Sequence, residues 1–172
     1  VRITSVTPSI YQAYQVAKIA KEVREDCKVI VGGPHATFLP DKTLLECGFI
    51  DIIVRGEGEE TIRELAEALE KGEWERVKGI PFRKGNRVVS NEWRPFIKDI
   101  DEIPFPSWDF LPMDKYQFCG QRYASMLASS GCPFNCSFCA SPRLFWVFGG
   151  VEAQKTLLKK LDFSMTSLAS KT

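Results

Sequence analysis

The chain opens on a β-branched apolar run, Val1–Val6, broken by the polar Thr7-Pro8-Ser9. Behind the break, Ile10, Ala13, Ala17 and Ala20 recur at helical spacing with Val16 and Val23 alongside. That pattern predicts an amphipathic helix with Thr7 as its N-cap and Pro8 in its first turn. Lys28–Val31 is a second β-branched run and ends in Gly32-Gly33-Pro34. A short helix is expected over Asp41–Cys47, a third strand over Phe49–Val54, and a helix over Glu59–Lys71 with Ile62, Leu65, Ala66 and Leu69 on one side. Strands that alternate with helices in this way predict a parallel α/β sheet.

Past Gly72 the pattern changes. Ile80–Lys84 and Arg87–Ser90 flank Gly85-Asn86, a hairpin signal. Residues 96–112 are dense in proline and aromatics, which blocks both helix and central strand and predicts an ordered connector. Arg122–Ser129 reads as a strand leading into a cysteine-rich loop, and Val151–Asp162 as a helix through Leu157, Leu158 and Leu161. The polar end, residues 164–172, is expected to fray.

Composition narrows this only by exclusion. The 172 residues carry a formal net charge of +1, so no strong field draws the chain to nucleic acid or an anionic surface. No apolar run approaches the ~18 residues needed to span a bilayer. Six cysteines could form a disulfide framework, but two sit inside apolar stretches and four cluster late. The opening residues lack the layout of a signal peptide, so reduced thiols in a cytoplasmic chain are the expectation.

Cys132, Cys136 and Cys139 lie in the run Ser130-Gly131-Cys132-Pro133-Phe134-Asn135-Cys136-Ser137-Phe138-Cys139, spaced Cys-x3-Cys-x2-Cys. Three thiolates on one short loop can hold three irons of a 4Fe-4S cluster and leave the fourth iron open for chemistry. Zinc, with Cys119 as fourth ligand, is the other metal these residues could serve, although zinc sites usually show paired Cys-x2-Cys half-sites.

This run resembles the cluster loop of the radical S-adenosylmethionine (SAM) enzymes. The resemblance implies Cys132, Cys136 and Cys139 as iron ligands, SAM on the open iron, and Phe138 stacked near the adenine. Ser5-Val6-Thr7, then Gly32-Gly33-Pro34-His35-Ala36, then Arg55-Gly56-Glu57-Gly58-Glu59 resemble the strand-end loops of the cobalamin-binding domain that precedes many radical SAM cores. They imply cobalamin contacts from Ser5, Thr7, Gly32, Gly33, Pro34, His35, Gly56, Glu57 and Gly58. The logic is physical as well: in open α/β sheets ligands sit over the carboxyl ends of strands, where glycines let backbone approach them closely. Each glycine pair alone would be only a turn, and Glu57, Glu59 and Glu60 alone would be helix-start acids. His35 is read as a pocket residue. The family's cobalt ligand, where there is one, lies in an Asp-x-His-x-x-Gly loop ahead of the Ser-x-Thr element, and this sequence has no such loop.

The expected fold is therefore α/β: a partial Rossmann-like parallel sheet of flavodoxin-like order and cobalamin-binding type, plus the beginning of a radical SAM (β/α) barrel. Residues 1–78 are expected to be the later part of the cobalamin-type domain, 79–120 hairpin and connector, and 121–172 the start of the core. The chain is expected to be a fragment of a cobalamin-dependent radical SAM enzyme, methyl transfer being the leading activity, and incompetent alone. A small-molecule substrate and an electron-donor protein are the implied partners. Strand Val1–Val6 is expected to be an exposed edge that invites self-association. The rival readings are a radical SAM protein with a cobalamin-free front domain, and a non-enzymatic iron–sulfur or zinc module.

Overall fold

The computed structural model describes residues 1–99, 102–104, 107, 110–118, 121–122 and 131–145. The first compact unit comprises Val1–Phe96 joined by Arg143–Phe145, and the second begins at Ile97.

In the first unit β1 (Arg2–Thr4), β2 (Ile30–Gly32) and β3 (Ile52–Ile53) are parallel neighbours, with Arg2 opposite Ile30 and Ile30 opposite Ile52. The second and third are each reached through a helical crossover: α1 (Ile10–Val23) after β1, and α2 (Pro34–Phe38) with α3 (Pro40–Glu46) after β2. The apolar strands β2 and β3 are largely buried on both faces, as parallel sheets require, whereas Arg2 and Thr4 of β1 are exposed. Val29, Val31 and Ile53 pack with Ala17, Ala36, Leu44 and Ile50 on one face. Ile30, Ile52 and Val54 pack with Leu65 of α4 (Glu59–Lys71), Val77, Ile80 and Phe82 on the other. The α4 boundaries follow from its ends: Glu59 and Glu60 favour the helix N-terminus, Lys71 lies in the last turn, and Gly72 closes it at φ +74.

The hairpin strands β4 (Pro81–Lys84) and β5 (Arg87–Ser90) extend this same sheet, β4 antiparallel to β3 and β5 antiparallel to β4. The sheet order is β1-β2-β3-β4-β5, mixed rather than wholly parallel. The first unit therefore runs past residue 78 to Phe96, because Phe82 seals the α4 face of the core at 2% exposure. Among the described residues β1 is an edge, paired only with β2.

Two local expectations shift. Thr7 does not cap α1; Thr7–Ser9 form a separate 3-10 turn, and the residue before α1 is Ser9, with no side-chain cap bond. Of the expected α1 face, Ile10, Ala13 and Ala17 are buried, whereas Val16 and Val23 are exposed.

In the second unit a 3-10 turn at Met113–Lys115 precedes β6 (Gln117–Phe118), which pairs antiparallel with β7 (Gln121–Arg122). A short helix, α5 (Ser141–Leu144), follows the cysteine loop. Most of the strand expected over Arg122–Ser129, the helix expected over Val151–Asp162, and Cys119 lie outside the described residues.

Candidate functional site

The carboxyl ends of β1, β2 and β3 bring three separated stretches of sequence together. Ser5 follows β1, its N–H donating to Gly32 O at 3.1 Å, and its own carbonyl accepts the N–H of His35 at 3.4 Å. The His35 ring is buried and its Nδ1 shares a 3.1 Å hydrogen bond with Thr7 Oγ1, so the hydroxyl expected to cap a helix instead orients an imidazole. His35 Nε2 and Ser5 Oγ are both buried without a hydrogen-bond partner. Buried polar atoms are nearly always paired, so two orphans at one end of a sheet mark a place for a polar ligand group.

A cavity of about 380 Å³ opens on the α4 face at this end, lined by Thr4, Ile30, Gly32, Gly33, Val54, Gly56, Gly58 and Ile62, with Arg2 and Ile3 beside them. Four of its walls carry no side chain. Gly33, at φ +93, is obligatory: a Cβ there would stand 2.7 Å from Ser5 O. At Gly32 and Gly58 a Cβ would make ordinary contacts with Val54. Their bareness therefore leaves room for a ligand rather than relieving a clash. Of the expected contacts, Gly32, Gly33, Gly56 and Gly58 line the cavity, while Ser5, Thr7, Pro34, His35 and Glu57 surround the same strand ends outside its lining.

The loop after β3 is held from two sides. Arg55 is buried and stacks its guanidinium 4.4 Å from the Trp93 ring centre while donating from Nη2 to Asn91 O at 2.5 Å. Burial pushes the Arg55 guanidinium down from its usual value, with Asp41 acting against this. Arg94 then donates from Nε to Thr61 Oγ1 at 2.9 Å and pairs with Glu60 and Glu64 of α4. The segment after β5 is thus latched beside the Gly56 loop. Sequence reasoning quoted Arg55 only as part of a motif and missed Trp93 and Arg94, because their contacts span roughly 30 to 38 positions and follow from no local period.

The cysteine loop is a different matter. Cys132 is half-buried and Cys136 and Cys139 are exposed, with the Cys139 N–H donating to Cys136 O at 3.1 Å. The Ser141 hydroxyl and N–H hold the Cys139 thiol below its ordinary value. Among the described residues no three His, Cys, Asp or Glu side chains gather into a metal-holding group. The donor chemistry suits a cluster, but the loop does not bring its three thiols to a common point. Phe138 is exposed.

Residues 1–66 match the B12 binding domain. The chain is 49% identical over 146 residues to the uncharacterized methyltransferase PH0819 of Pyrococcus horikoshii, covering 84% of this chain and 32% of that protein. It is 28% identical over 131 residues to the cobalamin-dependent radical SAM methyltransferase TokK of Streptomyces tokunonensis, 73% of this chain and 19% of that one. The chain carries a B12 binding domain and is related to the cobalamin-dependent radical SAM proteins. Another relative, at 40% identity over 168 residues, is the anaerobic magnesium-protoporphyrin IX monomethyl ester cyclase of Cereibacter sphaeroides, with 94% of this chain and 27% of that protein covered. The fold is shared with the cobalamin-dependent SAM radical enzyme OxsB at a TM-score of 0.74 and 22% identity, over 94% of this chain and 22% of that chain. The chain spans about a third or less of the length of these curated relatives.

Proposed function

We propose that residues 1–96 bind cobalamin at the glycine-walled cavity, and that the chain serves a radical SAM methyltransferase. The observation that carries the reading is the cavity at the carboxyl ends of three parallel strands, with Ser5 Oγ and His35 Nε2 orphaned at the same strand ends. When bound, cobalamin supplies a methyl carrier, and a cluster with SAM supplies a radical source. Gly32, Gly33, Gly56 and Gly58 admit a bulky ligand against backbone. The Ser5 and Thr7 hydroxyls and the His35 imidazole offer hydrogen bonds to its polar periphery. Cys132, Cys136 and Cys139 would hold three irons of a 4Fe-4S cluster, one thiolate to each. An electron-donor protein and a small-molecule substrate are the partners this chemistry calls for.

Methyl transfer leads because a relative named a methyltransferase has the higher identity, 49% against 40% for the cyclase. Ring formation is the second reading, favoured by that cyclase match over 94% of the chain. The test of the cobalamin reading is to mix the full chain with hydroxocobalamin, desalt it and record the visible spectrum. Retention of about one corrinoid per chain is expected, lowered by replacing Gly32 with Leu, which fills the cavity. A colourless protein fraction overturns it.

A further inference from the structure

Thr37 lies within α2, buried, and belongs to none of the strand-end motifs. Its backbone N–H donates to Gly33 O at 3.0 Å, and its hydroxyl oxygen accepts the Gly56 N–H at 3.1 Å. One residue thereby ties the loop after β2 to the loop after β3. Both tied glycines line the cavity, whereas Thr37 itself does not. Both also sit at positive φ, 93° for Gly33 and 65° for Gly56, so their placement is set by their tethers rather than by a regular element. Without the Thr37 oxygen, the Gly56 N–H would be left without that acceptor. A donor in this position regains a partner by moving toward water, and the cavity wall moves with it.

We propose that Thr37 is a positioning residue that sets the width of the cavity by holding the Gly56 loop against the Gly33 loop. The inference rests on the cobalamin reading above and goes beyond it, since Thr37 acts without touching the ligand. Threonine suits the place: its methyl keeps the core filled and its hydroxyl supplies the acceptor. Valine preserves the shape and removes the acceptor; serine preserves the acceptor.

The test compares the full chain with T37V and T37S by hydroxocobalamin titration and by amide hydrogen exchange at Gly56, after circular dichroism confirms folding. The expected result is a loss of affinity of about tenfold or more in T37V, equivalent to ~1.4 kcal/mol. Faster Gly56 exchange in T37V, and near-normal values of both in T37S, complete the expectation. Unchanged affinity in T37V overturns the proposal, as does an equal loss in T37S with Gly56 still protected. If T37V fails to fold, the T37S measurements decide on the same terms. If the parent chain binds no hydroxocobalamin, the cobalamin reading fails. Gly56 exchange then still decides the tether, and equal rates in parent and T37V overturn it.

Discussion

The guanidinium of Arg55, at the end of the third parallel strand, lies 4.4 Å from the ring centre of Trp93, 38 positions later in the chain. The ring covers a buried cation whose Nε has no hydrogen-bond partner. Desolvated cation–π contacts are worth about 2 kcal/mol. Trp93→Leu is therefore expected to lower unfolding stability by about 2 kcal/mol, read as the urea midpoint at constant slope. A change within error would show that the ring is only resting there. Arg55→Lys is expected to lose a similar amount, because an ammonium lacks the planar face that stacks on indole.

Two of the positive-φ glycines, Gly33 and Gly72, separate steric need from backbone strain. A Cβ at Gly33 would meet Ser5 O and Thr4 Oγ1 at 2.7 Å, while one at Gly72 meets nothing within 4 Å. Gly72→Ala is expected to cost about 1 kcal/mol, the left-handed penalty alone. Gly33→Ala should cost on the order of 3 kcal/mol, since backbone cannot yield as a flexible side chain does. Thermal unfolding of the two variants side by side checks the ordering.

Tyr14 predicts an alkaline limb in the stability profile. Burial, then its hydrogen bond to Glu46 at 3.1 Å, pushes the phenol up from 10.0 to about 12. The folded state holds this proton where the unfolded chain releases it, so the contribution is full below pH 10.0 and disappears as pH rises through about 12. Stability of the parent should therefore fall more steeply than that of Tyr14→Phe across this window, measured by urea unfolding at stepped pH. Parallel profiles would remove Tyr14 as the cause.

Anaerobic reconstitution with iron and sulfide addresses the cysteine loop. The full chain is expected to take up iron with a broad visible absorbance, and Cys132→Ala, Cys136→Ala and Cys139→Ala each to lose it. Stoichiometric zinc without iron would instead assign the thiols to zinc. The hydroxocobalamin spectrum should be unaffected by these three changes, since the glycine-walled cavity uses none of them.

Much of the first unit was legible because its signals are local. The α4 helix carries its own caps, acids at Glu59 and Glu60 and Gly72 at the end, and it spans Glu59–Lys71 as the periodicity predicts. The hairpin turn at Gly85-Asn86 was equally plain, but that Phe82 pairs with Ile52 was not, because register is settled by core packing. Thr7 looked like a cap by position and became a partner of His35 by tertiary contact. The α2 helix hid inside Gly33-Pro34-His35, where glycine and proline read as a turn. Thr37, Trp93 and the part played by Arg55 went unread for a common reason: each acts on a residue that the fold, not the sequence, brings near.

The antiparallel hairpin has a consequence of parity. Starting from β3, two reversals of direction, one into β4 and one into β5, leave the polypeptide pointing the way it pointed before them. Asn91, Trp93 and Arg94 consequently emerge at the end of the sheet where Arg55 and Gly56 follow β3, and Trp93 comes to lie beside both. A single added strand would have brought these three residues out at the opposite rim, one strand-length from Arg55, with neither the stack on Trp93 nor the bond to Asn91 within reach.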